Sequence, residues 1–398
     1  MDDVERAFRA AHGPAVATLI RLYGDITLAE DAVQDAFVTA MDRWPRDGVP
    51  DNPAGWIVTT ARNRAIDVVR RDRRGRELAG QLASDALRGE SADAQPIRDD
   101  QLRLVFTCCH PALRTEHQVA LTLRLIAGLT VPEVASAFLV SEATMAKRLV
   151  RAKYKIKAAR IPYRVPGAAE LPGRLRPVLS VLYLVYNAGA DDRTRVDLRA
   201  EAIRMTRLLA VLMPDEPEIA GLLALMLLSD ARMPARGAGG DVVLLKDQDR
   251  SLWDRSSIAE GQALVLSCLR RRRLGPYQLQ AAIQALHCAA SRYEDTDWAA
   301  IVRFYDRLIA VLPTPVVALN RAIAIAESQD PAEGMRLLDE LADQLAGYHL
   351  FHAARGSMLE RLGQRAQAAD AYACAAELAG TESAARFLHD QAAAVARG

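Results

Sequence analysis

The chain has 398 residues, is 51% hydrophobic and 25% charged, and carries a formal net charge of +1, a make-up that fits two or three packed domains and excludes a disordered or fibrous chain. The neutral total conceals one basic segment: residues 101–160 hold ten Lys and Arg against three Asp and Glu, so polyanion binding is expected locally and not over the whole surface. Five cysteines without a repeated spacing argue against a disulfide framework, and the longest apolar run, residues 219–228, is about half of a bilayer span.

Nearly every periodic segment predicts helix, because Ala, Leu and Arg dominate, strand-like alternation is absent and Pro or Gly punctuates at intervals. An all-α protein is expected. The amino terminus, MDDVERAFRA, is acidic and amphipathic, with no apolar signal core. In the first block, residues 1–75, the stretch LAEDAVQDAFVTAMDRW predicts a helix with Ala29, Val33, Ala36, Phe37 and Ala40 inward and Glu30, Asp31, Gln34 and Asp35 outward. The following stretch, PAGWIVTTARNRAIDVVRRDRR, predicts another with Ile57, Ala61, Ala65 and Val68 inward. Its outer surface carries Arg62, Asn63, Asp67, Arg70, Arg71 and Arg74, with Trp44 and Trp56 nearby. Aromatic rings beside arginines are the chemistry that holds unpaired bases while gripping the backbone.

Residues 76–98 are polar and weakly periodic, as a flexible linker would be. A second helical block follows over 99–160. At its start Cys108, Cys109 and His110 form no zinc set, since adjacent thiols oppose shared tetrahedral coordination and no second ligand pair follows. Further on, Thr130 and Glu133 form a capping box with Pro132 in the first turn, and Ser141 is an N-cap for a second helix. This is the pattern of a helix-turn-helix, whose second helix enters the major groove by its amino end. Glu142, Thr144 and Lys147 are placed to meet base edges, and Arg148, Arg151, Lys153 and Lys155 to meet phosphates.

Three prolines and two glycines within RIPYRVPGAAELPGR predict a boundary over 161–174. Beyond it, over 175–398, RLLAVLMPDEPEIAGLLALMLL and RLIAVLPTPVVALNRAIAIA share a helix, a proline stop and a second helix, the unit of a tetratricopeptide-like array. The best single fit runs from His352 to Gly380, with Gly356, Ala368, Tyr372 and Ala375 on the small, small, aromatic and small positions. The segment LLKDQDRSLWDR breaks the helical pattern, and Asp247, Asp249, Arg250, Trp253 and Asp254 are its candidate regulatory residues.

AEDAVQDAF, PAGWIVTTARNRAIDVVRR and SEATMAKRLVRAK, in that order and spacing, resemble the extracytoplasmic-function sigma factors of bacterial RNA polymerase. The likeness covers about 4–75 and 99–160, and the tail, with FTCCHPAL and LLKDQDRSLWDR, resembles the subgroup with a tetratricopeptide-like extension. Leu139 stands where many members have Gly, and Ala146-Lys147 where many have Lys-Ser; the second difference bears on base preference. The resemblance implies a cytoplasmic initiation factor with no cofactor and no catalytic residue. Glu30, Asp31, Gln34 and Asp35 would dock on the β′ clamp coiled coil, the second helix would take the −10 element and the helix from Glu142 the −35 element. The implied partners are core polymerase, including its β flap, and promoter DNA, with a peptide or protein partner of the extension left open. Two other readings stand beside it. One is a one-component regulator with a helical sensor. The other is an enzyme drawing on Asp241, Asp247, Asp249 and Asp254, against which Lys246, Arg250 and Arg255 can neutralise those carboxylates locally.

Overall fold

The computed structural model of the protein describes residues 3–50, 52–74, 94–138, 140–191, 198–236, 242–271, 274–328 and 330–397. Among them every regular element is helical, and the chain divides into two units, 1–213 and 214–398. Most of the expected linker 76–98, together with Leu139 and Asp241, lies outside the described residues.

In the first unit α1 (Asp3–Tyr23), α2 (Ile26–Asp47) and α3 (Pro53–Arg74) pack on one another through a small-residue core. Asp25 starts α2 by accepting from Thr27 N at 2.8 Å and Leu28 N at 3.1 Å, which satisfies two of the helix's free donors. Ala29, Val33, Ala36, Phe37 and Ala40 are buried as their spacing predicts, and so are Ile57, Ala61 and Ala65. Val68 is 40% exposed. It lies one turn beyond Ala65, near the end of the core that Ile57, Ala61 and Ala65 define along α3.

α4 (Ala94–Cys108), α5 (Thr115–Leu121) with its π-helical continuation Thr122–Ile126, α6 (Val131–Ala137) and α7 (Glu142–Ala158) form the second block. Phe106, Leu104, Leu121, Leu123, Leu125 and Met145 are among its fully buried side chains. The boundary expected over 161–174 falls inside this unit. Tyr163 donates to Ala17 O at 2.8 Å and Asp100 O at 3.1 Å, and Arg174 donates to Phe106 O at 2.7 Å. α8 (Leu171–Asp191) then packs on α4 and α5, and α9 (Leu198–Leu212) on α4 and α8. Val178, Leu182, Met205 and Leu209 face Val105 and Cys109 across a small apolar void. Proline and glycine stop helices locally; they do not decide which side of the stop a later helix covers.

In the second unit α10 (Pro217–Asp230), α11 (Arg255–Arg270), α12 (Pro276–Ala289), α13 (Trp298–Val311), α14 (Pro315–Ser328), α15 (Pro331–Asp339), α16 (Ala342–Leu345), α17 (His349–Arg361), α18 (Arg365–Glu377) and α19 (Glu382–Arg397) pack largely on neighbours in sequence, the contact order of a helical-repeat array. Its core is a succession of clusters. In one of them Gly356 lets α17 meet the Tyr372 ring, since a Cβ at that position would stand 2.9 Å from it. Ala368 and Ala375 are fully buried beside Tyr372. The expected small and aromatic positions therefore meet in one cluster.

Candidate nucleic-acid interface

The helix-turn-helix forms from the caps its sequence carries. Thr130 Oγ1 accepts from Glu133 N, and Glu133 Oε2 accepts from Thr130 N at 2.7 Å. Ser141 Oγ accepts from Thr144 N at 3.3 Å and opens α7, with Met145, Leu149, Ala152 and Ile156 buried against the block. Of the seven candidates on α7, Glu142, Thr144, Lys147, Arg151 and Lys155 are exposed. Thr144, Lys147, Arg151 and Lys155 follow one another at spacings of three and four, a single stripe along the helix. This stripe can bring an amino-terminal polar end to base edges and cations to phosphates.

The other two point elsewhere. Arg148 is half-buried, with its guanidinium 5.1 Å from the centre of the Phe138 ring and 3.9 Å from the Glu116 carboxylate. That makes it a brace between α7 and the preceding turn. Lys153 is half-buried and ion-paired with Glu30 on α2. Two residues that charge reasoning passed over, Val150 and Tyr154, are exposed on α7, 65% and 72% respectively.

On α3, Asn63, Asp67 and Arg70 are exposed, Arg62 is half-buried, and the side chains of Arg71 and Arg74 lie outside the described residues. Trp56 is half-buried and meets Trp44 edge to face, with ring centres 5.6 Å apart. Trp44 itself is buried in the core. Trp56 is thus the ring of this pair that keeps accessible surface.

On α2, Asp31, Gln34 and Asp35 are exposed. Val38 and Met41 extend the same face at helical spacing, 58% and 59% exposed. A long apolar side chain on the outer face of an otherwise satisfied amphipathic helix is the signal that could have found them. Glu30, expected outward, is 6% exposed. It accepts from Arg124 Nε at 2.5 Å and pairs with Lys153. Burial alone would raise the Glu30 carboxyl, but Arg124 and Lys153 together hold it below the ordinary range. Next to it, burial and the Glu30 charge push Asp31 upward.

In the second unit Arg250 lies over the Trp253 ring at 4.5 Å and donates to His287 O at 3.0 Å and Ala290 O at 2.6 Å. Trp253 is 3% exposed. Asp249 accepts from Ser251 N, and Asp254 caps α11 by accepting from Ser256 N and Ser257 N. Asp247 is exposed. Two of these three carboxylates are thus occupied as local caps, and no cluster of three or more metal-ligating side chains occurs among the described residues. Cys108 and Cys109 are buried thiols, the latter pushed up to about 12 by burial.

Three family profiles match the chain: Sigma-70 region 2 over 8–75, Sigma-70 region 4 over 103–156, and a family of unknown function (DUF6596) over 174–269. An uncharacterised protein of Rhizobium meliloti is 43% identical over 400 residues, covering 98% of this chain and 95% of that protein. The probable ECF RNA polymerase sigma factor SigI of Mycobacterium tuberculosis is 30% identical over 173 residues, covering 42% of this chain. The chain spans 59% of that relative's length. Among solved structures, the TPR domain of P58(IPK) aligns over 100% of this chain and 99% of its own, at 12% identity and a TM-score of 0.26. No helix among the described residues is long and apolar enough to cross a membrane. With region 2 and region 4 in sequence at its head and a helical extension behind them, the chain belongs to the sigma-70 family.

Proposed function

We propose that the protein is an initiation factor of the extracytoplasmic-function type, which binds core RNA polymerase through the exposed face of α2 and directs it to promoters with α3 and α7. Asp31, Gln34 and Asp35, continued by Val38 and Met41, form the polymerase-docking face. Trp56, Asn63, Asp67 and Arg70, with Arg62, Arg71 and Arg74, act on the −10 element. Glu142, Thr144 and Lys147 read the −35 element, and Arg151 and Lys155 hold its phosphates. The observation that carries this reading is the cationic stripe on a doubly capped helix-turn-helix, in one chain with an α2 that leaves a mixed acidic and apolar face uncovered. Catalysis belongs to the polymerase in this scheme. The second unit is the regulatory extension, with Asp247, Asp249, Arg250, Trp253 and Asp254 as its regulatory segment.

Run-off transcription with core polymerase and a promoter taken from upstream of the protein's own gene tests the assignment. A transcript that requires the added protein is the expected result. Binding to that DNA without polymerase recruitment would support a one-component regulator in its place.

A further inference from the structure

A cleft of about 520 Å³ opens inside the first unit, between the α1–α2 turn and the second half of α7. Small-molecule sites fall in the same range, roughly 300–1,000 Å³. Its walls are apolar in part, with Ile20, Ile156 and Ile161 buried and Ile26 half-buried beside them. On the α7 side Lys153, Lys157 and Arg160 line it, together with Tyr154, whose ring is 72% exposed. Asp25 and Thr27 line it on the side of the α1–α2 turn. Val150, Lys153, Tyr154 and Lys157 follow one another along a face of α7 next to the stripe of Thr144, Lys147, Arg151 and Lys155. Contact with DNA through that stripe therefore leaves the cleft face unused.

Two of the three cations have no task within the fold. Lys153 meets Glu30, but no side chain among the described residues pairs with Lys157 or Arg160. Arg160 is also the one non-glycine residue at positive φ among the described residues, at +49°. Ile161 N donates to Ile156 O at 3.0 Å and closes α7 in a Schellman turn, whose left-handed position glycine adopts most freely. An arginine there is strained, and strain of this kind is kept where the side chain has a use. The dipole of α7 does not supply that use, because Lys155 and Lys157 already place cations in its last turn. Across the cleft Asp25 uses only one carboxylate oxygen, Oδ1, to accept from Thr27 N and Leu28 N. Its second oxygen remains open as an acceptor.

We propose that this cleft binds a nucleoside phosphate. Arg160 offers the phosphates a planar fork of donors and Lys157 a point charge. The base lies against the isoleucine walls and the Tyr154 ring, and the open oxygen of Asp25 accepts from a sugar hydroxyl. A free phosphate would leave the apolar walls and Asp25 without a partner, and a purely apolar ligand would leave both cations without one. Such a ligand touches the α1–α2 turn and α7 together, so its binding stabilises the first unit by mass action. The site stands whether or not polymerase docks on α2.

Isothermal titration of the full chain with ADP, without polymerase, is the test. One site per chain is expected, with a Kd at or below about 100 µM, and ADP should raise the melting temperature of the first unit. Arg160→Gly should weaken ADP binding at least about tenfold and yet melt no earlier than the parent, because glycine takes the left-handed turn without strain. Tyr154→Ala should weaken ADP binding about fivefold or more and leave the binding of inorganic pyrophosphate as it was. No heat with ADP up to about 1 mM overturns the proposal, as does undiminished binding by Arg160→Gly. Pyrophosphate binding as tightly as ADP overturns it too, since the isoleucine walls and Asp25 would then contribute nothing. A promoter-free DNA duplex that displaces ADP from the parent chain would overturn it by assigning this face to nucleic acid.

Discussion

His12 of α1 lies against Gly128 in the turn that precedes α6, at a backbone φ of +78° that favours glycine. Burial, helped by Arg124 and opposed by Glu30, draws the His12 imidazole down to about 4, with Arg204 acting in the same direction as Arg124. A histidine whose folded value lies below its unfolded value contributes stability above about pH 6.5 that is lost as pH falls toward 4. The depressed Glu30 carboxyl acts with the same sign at lower pH. Between pH 7 and pH 5 the His12 contribution should fall by about 2 kcal/mol. Chemical denaturation of the full chain at the two pH values checks this: His12→Gln should flatten the pH dependence by that amount, leaving the part due to His287, which burial holds at about 3.

Replacing Asp31 and Gln34 together with Ala should weaken core polymerase binding by about tenfold while the helix content stays as it is, because both lie on a face that the fold leaves uncovered. Met41→Ala should weaken it further. Titration of labelled polymerase measures both, and an undiminished affinity in the triple variant would remove α2 from the docking surface.

The two arginines of α7 should separate cleanly. Arg151→Ala removes an exposed cation and should lower the salt slope of DNA binding by about one. Arg148→Ala removes a brace over Phe138 and should cost about 0.5–1 kcal/mol of stability with little change in the slope. Binding isotherms over a salt series, paired with thermal melts, distinguish the outcomes.

A methyl group at Gly356 would meet the Tyr372 ring, which is packed in the last cluster of the array. Gly356→Ala should therefore destabilise the second unit by about 1–3 kcal/mol, through overpacking. Differential scanning calorimetry should place the loss in one of two transitions, with the transition of the first unit unmoved.

Chain ends offer a separate check on where the first unit stops. A fragment ending at Met213 keeps α8 and α9 over Val105 and Cys109, whereas one ending at residue 165 strips that cover. The longer fragment should melt cooperatively. The shorter should scatter light and bind a hydrophobic dye, since it exposes the apolar side of α4; equal behaviour would mean that α8 and α9 are dispensable to that core.

What the sequence determined by itself is local. Side-chain caps act over three residues, so Thr130 with Glu133 and Ser141 with Thr144 mark the helix-turn-helix before any fold is known. Helical spacing likewise names the apolar stripes of α2 and α7, and the small positions around Tyr372 announce a close helix pair. What only the tertiary structure decided is which neighbour covers which face. Glu30 lies on the polar side of its helix by pattern, yet Arg124, 94 residues away, and Lys153, 123 away, take it inside. Arg148 and Lys153 are indistinguishable from Arg151 in a count of charges, and they differ because Phe138 and Glu30 stand beside them. The same holds for α8 and α9, whose apolar stripes suit an array and lie instead on α4. Hydrophobic burial has no direction, so a stripe states that it must be covered and leaves the partner to long-range packing.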